Sequence, residues 1–259
     1  MPAPPAALDI DFQTPLGRLR GRMPVSPAPM RLAELAYNVL ALDEQLVRMA
    51  VAATERDGKT ISCRRGCSAC CRQVVPVSPA EAWMLYDLVR SLPAERRAHV
   101  LDRFADAHAQ AMDGGFGQKY GGRDFDVFAE STDAFMEMGL AYIGLGIACP
   151  FLEDNACSIY ADRPTVCREF LVTTPAAYCD DPAAFPVESV PRAANLTECL
   201  SRVSALMLDS EPQVIPLTLA LRWAEEHHAL GQQRYDASSL MRAFFGLMGS
   251  DDAASGAPA

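Results

Sequence analysis

Three things are missing from this chain, and each removes a class of function. It has no long Lys/Arg run and carries a formal net charge of −10, so broad binding to nucleic acid or to an anionic membrane is not expected. It has no apolar stretch long enough to span a bilayer. The nearest, MGLAYIGLGIACPFL, is too short and breaks at Pro150. Nor does its first stretch, MPAPPAALDIDFQTPLGRLRGRMPVSPAPM, show a basic segment followed by an apolar one, as a secretory leader would. A cytoplasmic protein with reduced thiols is the expectation.

The rest of the composition is that of an ordinary globular protein, 50% hydrophobic and 22% charged over 259 residues. Such a chain can bury a core without a metal or disulfide to hold the whole fold. Residues 1–30, rich in Pro and Ala, read as a disordered arm, and residues 249–259 as a disordered tail. Between them, residues 31–248 are expected to form one mainly α domain: helices, few short strands, and two irregular cysteine-rich loops converging on a metal site.

The helical signals are specific. Leu32, Leu35, Val39, Leu42, Leu46 and Met49 form one apolar stripe, which Asp57-Gly58 would end. Ser78-Pro79-Ala80-Glu81 is a capping box with Pro at the first helical position, opening a helix to about Arg90. Further helices are expected from near Pro93 to Gly114, over Thr132 to about Tyr142, and over 193–208, 216–230 and 237–248. FGQKYGGRDF reads as a loop, RQVVPVS as an extended segment, and Asp124, Asp126 and Glu130 as solvated loop residues.

Nine cysteines, an odd number, argue against a complete disulfide framework. Seven fall into two groups separated by about eighty residues. Cys63, Cys67, Cys70 and Cys71 lie within nine residues; Cys149, Cys157 and Cys167 follow later. A helical hairpin between the groups would bring both loops together. No apolar period explains the first group, which sits among Arg, Gly and Ser.

Thiolates suit zinc, iron and iron–sulfur clusters because soft sulfur favours those centres. Cys67-x2-Cys70 has the spacing of a zinc knuckle, and Cys63, Cys67 and Cys70 together could hold three irons of a cubane. The spacing admits both metals. Seven thiols exceed the four that one tetrahedral ion needs, which leaves room for two ions, a cluster or spare reactive thiols. Cys70 and Cys71, if extended, would point in opposite directions.

Arg64, Arg65, Arg72, Arg163 and Arg168 crowd the loops and would offset the negative charge of a metal–thiolate centre. Cys199, spaced with Leu196, Val203 and Leu206, is expected in the core, and Cys179 is open to either role. The four histidines, His99, His108, His227 and His228, form no ligand pair.

Read together, Cys63-x3-Cys67-x2-Cys70-Cys71, Cys149-Pro150-Phe151-Leu152, Cys157-Ser158-Ile159-Tyr160, Arg163-Pro164 and Cys167-Arg168-Glu169-Phe170 resemble the YkgJ-like cysteine-cluster family, a zinc- or iron-chelating domain. The resemblance covers roughly the middle hundred residues. It implies a protein that holds zinc or iron, with an iron–sulfur cluster as one form, through Cys63, Cys67, Cys70, Cys71, Cys149, Cys157 and Cys167. A related branch resembles flagellin lysine N-methylases, which implies the alternative of an iron–sulfur oxidoreductase or group-transfer enzyme. The usual aromatic at position 69 is Ala here, and no nucleotide loop of G-x-G type follows a clear strand, so the enzyme reading is the weaker match. The implied partner is a metal ion; the residues name no protein partner.

Overall fold

The computed structural model describes residues 7–120 and 132–248. The Asp124, Asp126 and Glu130 loop, residues 1–6 and the tail at 249–259 lie outside the described residues.

The chain begins with a hairpin where composition alone suggests a disordered arm. Strands β1 (Ala7–Thr14) and β2 (Gly17–Pro24) pair antiparallel, with Ile10 opposite Gly21 and Phe12 opposite Leu19. The reason is a two-residue alternation: Leu8, Ile10 and Phe12 face inward, while Asp9, Asp11 and Gln13 face out. Gly17, at φ +130°, closes the turn, and the Thr14 hydroxyl donates to the Gly17 carbonyl at 2.7 Å. Asp11 ties the strands by accepting from Arg18 at 2.5 and 2.8 Å. Phe12 packs near Phe245 at the other end of the chain, and Met30 bridges Tyr235.

Helix α1 (Leu32–Arg56) buries Leu32, Leu35, Val39, Leu42 and Leu46, as the stripe predicts. Met49, at the end of that stripe, is only half-buried against the core. Gly58, at φ +77°, ends the helix by donating to the Glu55 carbonyl. A cysteine loop and the two-residue strand β3 (Pro76–Val77) lead to α2 (Pro79–Ser91). Then come α3 (Ala94–Asp113), α4 (Phe116–Tyr120) and α5 (Thr132–Gly144). Helix α4 replaces the first half of the expected loop, because Phe116 is buried against Tyr142.

The second cysteine segment holds β4 (Leu152–Glu153), β5 (Ala156–Cys157) and the short helix α6 (Thr165–Glu169). The chain then forms α7 (Leu196–Leu208), β6 (Ile215–Pro216), α8 (Leu217–Glu226), α9 (His228–Gly231) and α10 (Ala237–Met248). Strand β3 pairs with β6, so the RQVVPVS segment is a strand at Pro76–Val77, while Arg72 at its start belongs to a 3₁₀ turn. His227 interrupts the long helix expected over 216–230, dividing it into α8 and α9. The fold is mainly α.

Helices α1, α2, α7 and α8 enclose the core around Trp83, Met84, Leu85, Leu196 and Leu200. Trp83 meets Trp223 at 5.1 Å between ring centroids, and Gly231 leaves room beside the Trp83 indole. Cys199 is buried here with Leu196 and Val203, whereas Leu206 is 63% exposed and is not part of that face.

Candidate metal centre

The first cysteine loop is folded by short-range backbone bonds. Cys67 N–H donates to the Arg64 carbonyl at 2.9 Å, with Gly66 at φ +90° completing the turn. Residues Ala69–Arg72 form a tight 3₁₀ turn, so Cys70 and Cys71 are not in extended chain. The Cys71 thiol beside it is the first cause pushing the Cys70 thiol up, with burial second.

The second segment is fixed by its apolar residues and by a hairpin. Phe151 of the Cys-Pro-Phe-Leu run is buried against Phe104 at 5.1 Å. Asp154 and Asn155, at φ +47° and +58°, make the two-residue turn that places Cys157 opposite Leu152. Glu153 is clamped from α3 by Arg96 at 2.6 Å and Arg103 at 3.5 Å, and Arg103 also donates to the Leu152 carbonyl.

The expected capping box at the start of α2 turns out to organise Cys167 as well. Ser78 N–H donates to Glu81 Oε2 at 2.9 Å, and Glu81 N–H returns a bond to Ser78 Oγ at 3.2 Å. The other oxygen, Glu81 Oε1, accepts from Thr165 N–H and Thr165 Oγ1, each at 2.9 Å. Thr197 on α7 stands 2.9 Å from Thr165 Oγ1. One buried carboxylate thereby caps α2 and anchors the first turn of α6, which carries Cys167.

The two loops meet directly. Cys149 N–H donates to the Cys71 carbonyl at 2.7 Å, and Ser68 Oγ lies 3.2 Å from Asn155 Oδ1. Farther along, Ser62 N–H donates to the Val172 carbonyl at 2.9 Å, while Val172 N–H points at Cys63 Sγ at 3.4 Å. The helical interval between the groups therefore does bring them together. All nine cysteines are free thiols.

Burial pushes the Cys167 thiol well above its usual range, with Cys149, Cys70 and Cys157 adding to the effect and Arg163 opposing it. Cys149 is raised to about 12, again chiefly by burial, with Cys157 and Cys70 as thiol neighbours. Cys157 is raised for the same reason. Cys63 is raised mainly by burial and then by Cys67 and Cys70. A metal entering among these raised thiols must displace their protons. As the side chains stand, no group of three or more His, Cys, Asp or Glu among the described residues is set to hold a metal ion. Coordination requires the thiols to turn inward.

The five arginines do not act as one group. Arg64, Arg65 and Arg72 are exposed. Arg168 donates to the Arg163 carbonyl at 3.1 Å and faces Asp43 at 3.7 Å instead of the sulfurs. Arg163 is the cation among the thiols: it opposes the upward shifts of Cys63, Cys70, Cys157 and Cys167. Its guanidinium lies 3.8 Å from the Tyr160 ring centroid, and its buried Nε has no hydrogen-bond partner. A donor left free beside a cluster of sulfurs fits a site that gains negative charge when it is filled.

Sequence reasoning did not find the carboxylates behind the site. Asp43 on α1 is fully buried, both oxygens lacking a hydrogen bond, and burial pushes its carboxyl up to about 7. Glu169 on α6 is raised to about 8 by burial, then by the charge of Asp43. No spacing signalled them, because they come from separate helices. Of the histidines, His227 stacks on Trp223, and His108 lies 3.2 Å from Arg222.

Residues 62–183 match the sequence model of the CxxCxxCC family, described as a "putative zinc- or iron-chelating domain". That span is just under half of the chain, and the family is the one that the cysteine motifs resemble. No curated protein and no solved structure matches the chain significantly. No helix among the described residues is long and apolar enough to cross a membrane.

Proposed function

We propose, taking the chelating domain at residues 62–183 as the premise, that the protein binds zinc or iron through the thiolates of Cys63, Cys67, Cys70, Cys71, Cys149, Cys157 and Cys167. The observation that carries this reading is the docking of the two cysteine loops through Cys149 N–H and the Cys71 carbonyl at 2.7 Å. Without that junction the motifs would be two unrelated loops. With it, thiols from two distant stretches of sequence share one region of the fold.

Each part of the site has a role in this reading. The Ala69–Arg72 turn carries Cys70 and Cys71, the β4–β5 hairpin Cys157, and α6 Cys167. Glu81 and Thr165 hold the α6 backbone while its thiol turns. Arg163 offsets the charge that thiolates bring to a divalent ion and supplies a donor toward sulfur. The bound ion would act as a held or delivered metal.

The test is to purify the protein without oxygen, count zinc, iron and acid-labile sulfide, and record the visible spectrum. Colourless protein with bound zinc and no sulfide is the mononuclear zinc outcome. Brown protein with matching iron and sulfide is the cluster outcome. Protein that binds neither metal when reduced and supplied with both sinks the proposal.

A further inference from the structure

Three arginines of the first cysteine loop are left over once the site is accounted for. On the hairpin and the helices, exposed arginines such as Arg18, Arg48 and Arg222 face Asp11, Glu44 and Glu226 at 2.5, 2.6 and 2.8 Å. Arg64, Arg65 and Arg72 are equally exposed, yet they make no ion pair among the described residues. Acids are not scarce in a chain with 33 Asp and Glu against 23 Lys and Arg. The first loop is where cations stand unmatched.

These arginines are also held in place. The bond from Cys67 N–H to the Arg64 carbonyl, with Gly66 at φ +90°, fixes Arg65 at the tip of a turn. Arg72 is steadied by Ser68: its Nη1 donates to the Ser68 carbonyl at 3.3 Å and to Ser68 Oγ at 3.1 Å. An exposed aromatic pair adjoins the loop. Phe185, 45% exposed, stacks on Tyr178 with 4.8 Å between ring centroids. Tyr178 belongs to a 3₁₀ turn (Ala176–Asp180) that buries Cys179 and packs against the Ala69–Arg72 turn. Gln73 Nε2 ties the two by donating to the Cys179 carbonyl at 2.6 Å.

We infer that Arg64, Arg65, Arg72 and the Tyr178–Phe185 pair form a docking face for an acidic segment of a partner protein, one carrying Asp or Glu beside an apolar anchor. This goes beyond chelation, since none of these residues supplies a thiol. Guanidinium forks match carboxylates, and an exposed aromatic stack takes an apolar side chain; Arg and aromatics are the residues that protein interfaces favour. The border of the face decides against nucleic acid. Asp180 is exposed at the end of the Tyr178 turn, and Asp154 is exposed on the turn whose Asn155 meets Ser68 at 3.2 Å. A strand of phosphates would meet those carboxylates and the net charge of −10, whereas a protein segment can set a neutral or basic residue opposite them.

The experiment uses the full-length, reduced protein and reads the fluorescence anisotropy of a labelled short peptide of Glu and Asp with one central Phe, at about 50 mM salt. The wild-type chain should bind it saturably, and bind a counterpart with Gln and Asn in place of the acids at least about tenfold more weakly. The double variant Arg64→Gln/Arg65→Gln should weaken binding about tenfold, and Arg72→Gln or Phe185→Ser about threefold each. Arg48→Gln, which removes the same charge from α1, should change it less than about twofold. All are surface changes that leave folding intact. No saturable binding, equal binding of the neutral peptide, or an equal loss in Arg48→Gln would overturn the docking face. So would a labelled single-stranded oligonucleotide held more tightly than the peptide through the same arginines. Metal content is counted separately, so these outcomes leave the chelating reading as it stands.

Discussion

The helical frame and the cysteine loops are built on opposite terms. In the frame, Leu35, Val39, Trp83, Leu85 and Leu200 fill an apolar core, and its helices are held by their own backbone bonds and by packing. In the loops, the regular elements are two to five residues long, held by single bonds such as Cys149 to Cys71 and Ser62 to Val172. Their interior is lined by thiols, a free arginine donor and buried carboxylates. The frame is therefore expected to fold without metal, and the loops to depend on it. The contrast separates what stabilises the protein from what it holds.

The sharpest break in that contrast is a ligand change. A four-ligand thiolate zinc site is worth roughly 10–16 kcal/mol, so one lost sulfur costs about 3–4 kcal/mol, a few hundred-fold in Kd. Cys167→Ser should weaken metal binding by that amount in a competition titration, with far-UV circular dichroism unchanged. A collapse of helical signal would mean that the frame depends on the site. The reverse change is Leu200→Ala, in the frame. It should cost about 2–5 kcal/mol in urea unfolding, through lost burial and a cavity, and leave metal stoichiometry as it was. A drop in metal uptake by the folded variant would show that the two regions are not separable.

A smaller effect lies where they touch. Asp43, on α1 but facing Arg168 of the second loop, has a carboxyl raised from 3.8 to about 7. A carboxyl raised by folding binds its proton more tightly in the native state. Its contribution is thus fully present below about pH 4 and is lost as pH rises through about 7. Asp43→Asn should remove that loss, gaining roughly 2 kcal/mol relative to wild type between pH 5 and pH 7. Parallel stability curves for the two proteins would contradict the assignment. Smallest of all, Leu206→Ser at an exposed site of α7 should change stability by less than about 0.5 kcal/mol in the same assay.

Much of this was legible before the structure, and the exceptions have physical causes. The α1 stripe, the Ser78 capping box and the two cysteine groups are patterns of local spacing, so the chain itself carries them. The Ala7–Pro24 hairpin was hidden because prolines, alanines and arginines mask a sound alternation of Leu8, Ile10 and Phe12. The second role of Glu81, holding Thr165 across more than eighty residues, has no local signal at all. Arg168 looked like a counter-charge to sulfur because it follows Cys167, yet its side chain runs back to the Ala161 and Arg163 carbonyls and Asp43. Adjacent positions on a short helix point in different directions, and sequence proximity cannot say which one meets the sulfurs.

The central claim is that sulfur holds the metal, and X-ray absorption at the zinc or iron edge of anaerobically purified protein measures that directly. The account predicts a first shell dominated by sulfur at about 2.3 Å for zinc. A shell of oxygen or nitrogen alone at about 2.0–2.2 Å would contradict it.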